Sequence, residues 1–231
     1  MPQTPLLLLQ HRREATRKLN SGALLQLAVS PTRLATVVAR SIHSARQSSA
    51  WARYVEGEGR TPLLLYPCAS ALSVADVRER MRAGHDYFLI AIDGTWTEAK
   101  EILFSHSSIN AEKDMVLPEC LALTPADLAG HPGPLFAGCR KPTGPSSLCT
   151  LEAVALALGA LESGAAGASL TSALLRPMLR MVGHQIALTA GREVHRTERP
   201  GYMLGLTETA AKAAAAACAP SSIVHEPYQY S

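Results

Sequence analysis

The 231-residue sequence predicts an α/β fold with a mainly parallel sheet flanked by helices. Several short runs rich in Leu, Ile and Val contain almost no polar residue, as expected of strands that are buried on both faces of a sheet. These runs alternate along the chain with segments of helical periodicity, which is the pattern of strands joined by crossover helices. Hydrophobic residues make up 47% of the chain, enough for a core of one domain of generous size.

Each predicted strand is an apolar run that stops at a polar residue or at a proline. The first run, TPLLLLQH, ends in polar residues, the second, GRTPLLLYP, is stopped by Pro67, and the third, YFLIAID, ends at Asp93. ECLALTP and PLFAGCR are weaker strand candidates, and residues 32–53 are hard to assign. The predicted strands are therefore residues 4–11, 59–67 and 87–93, with weaker candidates at 119–125 and 134–140.

Helices are predicted between and after these strands. Residues 12–29 have helical spacing that Asn20-Ser21-Gly22 interrupts. Ser73 is a suitable N-cap for a helix over residues 73–84, whose apolar face carries Val74, Val77 and Met81. Further helices are predicted at residues 97–106, 146–163 and 172–188, the last with Pro177 near its start or at a kink.

The composition changes beyond about residue 200, where TETAAKAAAAACAPSSIVHEPYQYS is Ala-rich and then loop-like. An alanine run favours helix but offers little surface to bury. We therefore predict one domain over residues 1–199 and an Ala-rich appendage over residues 200–231.

Composition excludes several classes of protein. No apolar run approaches the length that crosses a bilayer, and the N-terminus lacks the zones of a secretory signal, so we expect no membrane association. The number of cysteines is odd and none form a C-x-x-C pair, which disfavours both a disulfide framework and a zinc site and favours the cytoplasm. The net charge of +3 does not by itself indicate an anionic partner. The cysteines are at positions 68, 120, 139, 149 and 218.

Three loops follow buried segments in a way that is typical of a ligand site. In parallel α/β sheets, ligands bind beyond the carboxyl ends of the strands. Asp93-Gly94-Thr95-Trp96 follows the third strand, Tyr66-Pro67 follows the second, and a Pro/Gly/Ser-rich loop enters a helix near residues 147–150. Helix N-termini attract carboxylates. The alternative is structural: Asp93 caps the next helix and Trp96 fills the core.

Four segments together resemble the DTW-domain family: LLLQHRREATRKLNSG, LLLYP, IDGTWTEAK and RKPTGPSSLCTLEAVALAL, in the family's order and approximate spacing, from about residue 4 to about residue 190. Members are tRNA-uridine aminocarboxypropyltransferases, which move the 3-amino-3-carboxypropyl group of S-adenosylmethionine to N3 of a tRNA uridine. The resemblance implies a SPOUT-like fold with a deep C-terminal knot, S-adenosylmethionine as group donor and tRNA as partner. Members usually carry a cysteine cluster before the first strand. Here no cysteine precedes Cys68, so we expect no metal.

The resemblance also implies roles for individual residues. Asp93 matches the family's aspartate and would act as the general base that deprotonates N3. Trp96 would stack on adenine or on the target base, unless it lies in the core. Glu152 would bind the methionine amino group or cap its helix. The predicted cofactor-binding residues are Leu65, Tyr66, Pro67, Gly94, Thr95, Trp96, Ser147, Leu148, Cys149, Thr150 and Glu152.

Binding of tRNA requires positive charge along the path of the phosphates. The predicted RNA-binding residues fall in a basic segment after the first strand and in a pair beside the proposed cofactor loop. Each basic cluster also fits a solvated surface, and a lone histidine near a strand end is more often structural than catalytic. These residues are His11, Arg12, Arg13, Lys18, Arg140 and Lys141.

Three other functions fit parts of the pattern. A SPOUT-like RNA methyltransferase would use the same cofactor but release S-adenosylhomocysteine, whereas aminocarboxypropyl transfer releases methylthioadenosine. A catalytically silent RNA- or cofactor-binding relative is disfavoured by Asp93 and favoured by the missing cysteine cluster. An unrelated nucleotide-binding α/β protein is disfavoured because neither G-x-G-x-x-G nor G-x-x-x-x-G-K-[ST] occurs.

Overall fold

A computed structural model describes residues 3–17, 20–104, 117–138 and 147–190 of the chain. Five strands form one sheet, and every pair of neighbouring strands is parallel. The strands are β1 (Leu6–His11), β2 (Leu34–Ala39), β3 (Thr61–Leu65), β4 (Tyr87–Asp93) and β5 (Glu119–Leu121). Their order in the sheet is β2-β1-β4-β3-β5, so β1, β4 and β3 are central.

Helices cover both faces of the sheet, which confirms the predicted α/β fold. They are α1 (Arg12–Ala15), α2 (Ser21–Ala28), α3 (Ile42–Arg46), α4 (Ser49–Ala52), α5 (Val74–Arg82), α6 (Trp96–Phe104), α7 (Thr150–Glu162) and α8 (Gly164–Ala190). Arg53–Gly57 forms a π-helical turn and Leu135–Gly138 a 3-10 turn. None of the described helices is long and apolar enough to cross a membrane.

The leucines of β1 show how the two layers form. Leu6 and Leu8 pack into one core with residues of α2, α5, α7 and α8, whereas Leu7 and Leu9 pack into the other with residues of α3, α4 and α6. All four are fully buried. Because successive side chains of a strand point to opposite faces, this uniformly apolar run is what a central strand with two covered faces requires.

The strand predictions at residues 4–11, 59–67 and 87–93 are confirmed, and the weaker candidate at 119–125 contains β5. The prediction for residues 134–140 is wrong, because Leu135–Gly138 forms a 3-10 turn. The sequence pattern missed β2 within residues 32–53. This strand lies at the edge of the sheet and is partly exposed, so its apolar pattern is weak.

Among the helices, the predicted interruption at Asn20-Ser21-Gly22 is confirmed. Asn20 is the N-cap of α2, and its side chain accepts a hydrogen bond from the Ala23 N–H at 2.6 Å. Ser73 caps α5 as predicted. Helix α8 begins at Gly164, earlier than the predicted start at residue 172. Pro177 therefore lies inside this helix and not near its start. The proposed appendage, residues 200–231, lies outside the described residues.

Candidate active site

A cavity of about 350 Å³ opens at the carboxyl ends of β3, β4 and β5, a volume within the usual range for a small-molecule site. The loops after these three strands form one side of the cavity. The start of α7 and the loop that contains Leu128, Pro134 and Phe136 form the other. The structure brings together Asp93 and all the predicted cofactor-binding residues at this cavity: Leu65, Tyr66, Pro67, Gly94, Thr95, Trp96, Ser147, Leu148, Cys149, Thr150 and Glu152.

Asp93 is the last residue of β4 and is only 1% exposed. Its Oδ2 accepts a hydrogen bond from Gln10 Nε2 at 2.8 Å, and its Oδ1 accepts one from the Ser21 hydroxyl at 3.1 Å. Parallel pairing places Gln10 opposite Asp93 in the register of β1 and β4. A buried carboxylate requires such donors.

Thr95, not Asp93, caps helix α6. The Thr95 hydroxyl accepts a hydrogen bond from the Glu98 N–H at 3.3 Å, and Glu98 Oε2 accepts one from the Thr95 N–H at 2.7 Å. This reciprocal pair is a capping box. The alternative that Asp93 serves only as the helix cap is therefore wrong, because Thr95 occupies that position.

Gly22 allows the start of α2 to approach Asp93. A Cβ at this position would collide with Asp93 Oδ2 and would come within 2.9 Å of Gln10 Nε2. The sequence pattern identified Asn20-Ser21-Gly22 only as a helix interruption and missed its contact with Asp93. No local signal reveals a contact between residues 72 positions apart.

Trp96 is 53% exposed, so the alternative that it fills the core is wrong. It lines the cavity and makes an edge-to-face contact with Tyr66, with ring centroids 6.1 Å apart. Both rings belong to residues that directly follow strands or begin a helix at the carboxyl edge of the sheet. They form an aromatic corner at the cavity.

Glu152 is fully buried and ties two walls of the cavity together. Its Oε2 accepts a hydrogen bond from the Cys149 N–H at 2.9 Å, which caps α7. Its Oε1 accepts one from the Leu135 N–H at 2.6 Å and lies 3.3 Å from His131 Nε2. Glu152 thus caps α7 and also binds the loop that contains His131 and Leu135. Burial raises the pKa of the neighbouring Cys149 thiol well above its ordinary value.

The described lining of the cavity is acidic. Glu14, Asp93 and Glu152 all reach it and are at most 3% exposed, while no Lys, Arg or His is among its described lining residues. Arg17, which is not among the lining residues, forms an ion pair with Glu14, and the charge of the lining itself favours a ligand with positive charge. The sequence analysis did not single out Glu14, whose position depends on the turn of α1 at the end of β1.

A partly buried ionic cluster joins the end of β1 and the residues after α1 to helix α6. His11 is 2% exposed, and its Nδ1 and Nε2 lie 3.5 Å from Glu98 Oε1 and 3.4 Å from Glu101 Oε2. Burial acts to raise the pKa of Glu98, but hydrogen bonds from the Thr95 N–H and hydroxyl, with the charges of Arg17 and His11, outweigh it. The pKa of Glu98 is therefore below its ordinary value.

The predicted RNA-binding residues fall into three groups. Arg12 and Arg13 are exposed on α1. His11 is buried against Glu98 and Glu101, so its ring has little surface for a phosphate. Lys18, Arg140 and Lys141 lie outside the described residues. In the part of the chain that the structure describes, no three His, Cys, Asp or Glu side chains are grouped closely enough to hold a metal ion.

Comparison with known proteins relates the chain to a described family and to a curated protein. The family model described as the DTW domain matches residues 1–186. A curated relative, tRNA-uridine aminocarboxypropyltransferase 2 of Drosophila melanogaster, is 27% identical over 181 residues, which are 78% of this chain and 64% of the relative. The chain thus aligns with slightly less than two thirds of that protein. No solved structure matches the chain.

Proposed function

The chain belongs to the DTW-domain family, and from that membership we propose that it is a tRNA-uridine aminocarboxypropyltransferase. It would transfer the 3-amino-3-carboxypropyl group of S-adenosylmethionine to N3 of a tRNA uridine and release methylthioadenosine. The observation that carries this proposal is the convergence of three motif loops on one acidic cavity. The Drosophila relative bears this activity in its name.

The chemistry of the cavity fits S-adenosylmethionine. The donor carries a sulfonium and an ammonium group, which suit a lining that contains Glu14, Asp93 and Glu152. Apolar residues of the same lining, such as Leu121 and Phe136, suit the adenosine part. When bound, the donor would supply an electrophilic methionine γ-carbon with a good leaving group. The protein then mainly positions the partners and excludes water.

We assign the parts of the cavity as follows. Tyr66 and Pro67 would lie on the adenosine side, and the start of α7 would offer backbone donors to the methionine carboxylate. Glu152 would hold this start of α7 against the loop at Leu135, consistent with its three contacts. The ammonium group of the methionine part would lie against the acidic lining residues that include Glu14.

Asp93 would act as the general base. Uridine N3 is a poor nucleophile until it loses its proton, and a carboxylate can take that proton if it lies within hydrogen-bond reach. The donors Gln10 and Ser21 hold the carboxylate at the cavity. Because N3 is on the pairing edge of the base, the target uridine must be unpaired or flipped out of its stack.

The path of the tRNA phosphates would follow the basic residues near this cavity. Arg12 and Arg13 are exposed on α1, whose neighbouring His11 contacts α6 beside the cavity. Lys18, Arg140 and Lys141 remain part of the RNA-binding proposal.

We further propose a SPOUT-like fold with a C-terminal knot, a catalytic domain over residues 1–199, an appendage over residues 200–231 and a cytoplasmic location.

Donor labelling tests the proposed reaction against methyl transfer. Purified protein is incubated with unmodified tRNA and with S-adenosylmethionine that carries a radiolabel either in the carboxyl carbon or in the methyl carbon. Aminocarboxypropyl transfer places only the carboxyl label in the tRNA and leaves the methyl label in methylthioadenosine. Methyl label in the tRNA would instead establish an RNA methyltransferase. If neither label enters any tRNA, the chain is a binding protein rather than this enzyme.

A further inference from the structure

We propose that the Ser21 hydroxyl is a second catalytic group of this site, which passes the N3 proton of the target uridine to Asp93. The inference rests on the proposed function and adds a residue to it. Ser21 lines the cavity and is 8% exposed. Its hydroxyl donates a hydrogen bond to Asp93 Oδ1 at 3.1 Å.

The environment of Asp93 explains why a relay is needed. The carboxylate is 1% exposed, and both of its oxygens already accept hydrogen bonds, from Gln10 and from Ser21. A uracil ring that enters the cavity therefore finds little exposed surface on the Asp93 carboxylate. The Ser21 oxygen carries one proton and two lone pairs, so donation to Asp93 still leaves it able to accept a proton from the cavity side.

The backbone around Ser21 is held in place from several directions. Asn20 Nδ2 donates hydrogen bonds to the carbonyls of Glu14 at 3.2 Å and Arg17 at 3.1 Å, and its Oδ1 caps α2. On the other side, Gly22 is so close to Asp93 that any side chain there would collide with the carboxylate. Such support on both sides orients the hydroxyl before substrate binds.

The proton transfers balance. The proton on uridine N3 moves to Ser21 Oγ while the proton of Ser21 moves to Asp93 Oδ1, so the serine remains neutral. The electron pair left on N3 is the nucleophile of the transfer. Asp93 becomes a neutral carboxylic acid and returns its proton to solvent after the products leave. Gln10 keeps its hydrogen bond to Oδ2 throughout, and we regard it as a positioning residue.

Substitution of Ser21 tests the relay in single-turnover transfer to tRNA. Ser21→Ala should lower the rate about a hundredfold, near the lower end of the effect of losing a general base. Affinity for S-adenosylmethionine should not change. Ser21→Thr keeps a hydroxyl and should restore most of the rate, whereas Ser21→Cys, a weaker donor, should restore little. Ser41→Ala removes a different buried serine hydroxyl and should cost stability without slowing the transfer step.

A measurement on the ligand-free protein tests the contact independently of turnover. The ¹³C carboxyl resonance of Asp93, assigned as the one that Asp93→Asn removes, should shift in Ser21→Ala and stay in place in Ser41→Ala.

A double substitution tests whether the two residues act together. In the Asp93→Asn background, Ser21→Ala should cause little further loss of the transfer rate, because the effects of two residues that act in one relay are not additive.

Two outcomes would overturn the relay. If wild-type protein transfers the carboxyl label and Ser21→Ala transfers it equally fast, Ser21 has no part in catalysis while the proposed function stands. If the losses of transfer rate from Ser21→Ala and Asp93→Asn add fully, Ser21 does not act through Asp93, and the proposed function again stands. If wild-type protein transfers neither label, the proposed function fails and the relay fails with it.

Discussion

The surroundings of Asp93 combine three separate parts of the chain. Its carboxylate stands at the end of β4, but the donors that hold it come from β1 and from the start of α2. Gly22 adds a steric requirement, since a Cβ there would collide with the carboxylate. At the scale of single residues, the site is therefore defined by a buried acid and its two donors, rather than by the four-residue motif alone.

The first prediction concerns Asp93→Asn. Asparagine keeps the shape of the side chain, and the Ser21 hydroxyl or the Gln10 amide can reorient to bond with it, so stability and cofactor affinity should change little. If Asp93 is the base, the single-turnover rate should fall about a hundredfold to ten-thousandfold. Single-turnover transfer to tRNA, calorimetry with S-adenosylmethionine and thermal melting measure the three quantities.

Asp76→Asn is the matched control for this substitution, because Asp76 lies at the exposed start of α5, away from the cavity. It should leave the transfer rate unchanged. A near-normal rate in Asp93→Asn would remove Asp93 from the mechanism.

At the scale of elements, the capping box of α6 also joins that helix to α1. Glu98 accepts both hydrogen bonds from Thr95 and lies close to His11 and Arg17, which flank α1 on its two sides. The buried Glu98 carboxylate thus holds α1 and α6 together, and these helices contain the cavity residues Glu14 and Trp96.

We predict that Glu98→Gln destabilises the protein near neutral pH but not in acid. The folded-state pKa of Glu98 is below its ordinary value of 4.5, so its contribution is fully present above pH 4.5 and is lost as the pH falls through the folded-state pKa. At pH 7 the loss should be about 1.5–3 kcal/mol, as for a hydrogen bond to a charged group. Urea unfolding at pH 7 and in acid measures it.

Glu79→Gln, on the exposed side of α5, should show no such pH dependence. An equal destabilisation by Glu98→Gln at both pH values would contradict the charge-based explanation.

The contacts of Glu152 predict that Glu152→Gln loosens the loop at Leu135. The carboxylate accepts two backbone N–H bonds, and the amide group of Gln would have to face one of those donors. An unpaired buried donor costs about 1–3 kcal/mol. Hydrogen exchange at residues 131–138 should become faster, and affinity for S-adenosylmethionine should fall.

Glu162→Gln, at the other end of α7, is the control and should leave this loop unchanged. Unaltered exchange and affinity in Glu152→Gln would show that the three contacts do not hold the cavity walls together.

At the scale of the whole molecule, the proposed domain boundary predicts the effect of truncation. The family match ends at residue 186, and the described core includes residues up to Val182. Removal of residues 200–231 should therefore leave the melting temperature and the affinity for S-adenosylmethionine unchanged. Circular dichroism and calorimetry measure both.

Truncation after residue 170 is the contrasting variant, because it removes Leu174 and Met178 from the core. This shorter chain should not fold. Loss of folding on removal of residues 200–231 would show that these residues belong to the domain rather than to an appendage.

Several elements of the fold are encoded in local patterns and could be predicted from them. Continuous apolar runs identified the central strands β1, β3 and β4, Ser73 marked the start of α5, and Asn20-Ser21-Gly22 marked a helix interruption. Because ligands of parallel sheets bind at the carboxyl ends, these strands also indicated which loops to examine. The edge strand β2 was missed because its partly exposed residues do not form such a run.

Contacts between distant side chains became known only from the packing of the folded chain. The parallel pairing of β1 with β4 brings Gln10 to Asp93 across 83 positions, and the packing of α2 brings Ser21 to the same carboxylate. It also placed Trp96 at the cavity instead of the core. Propensity and periodicity act over a few residues, whereas strand order and helix packing depend on burial across the whole chain, so the partners of Asp93 have no local signal.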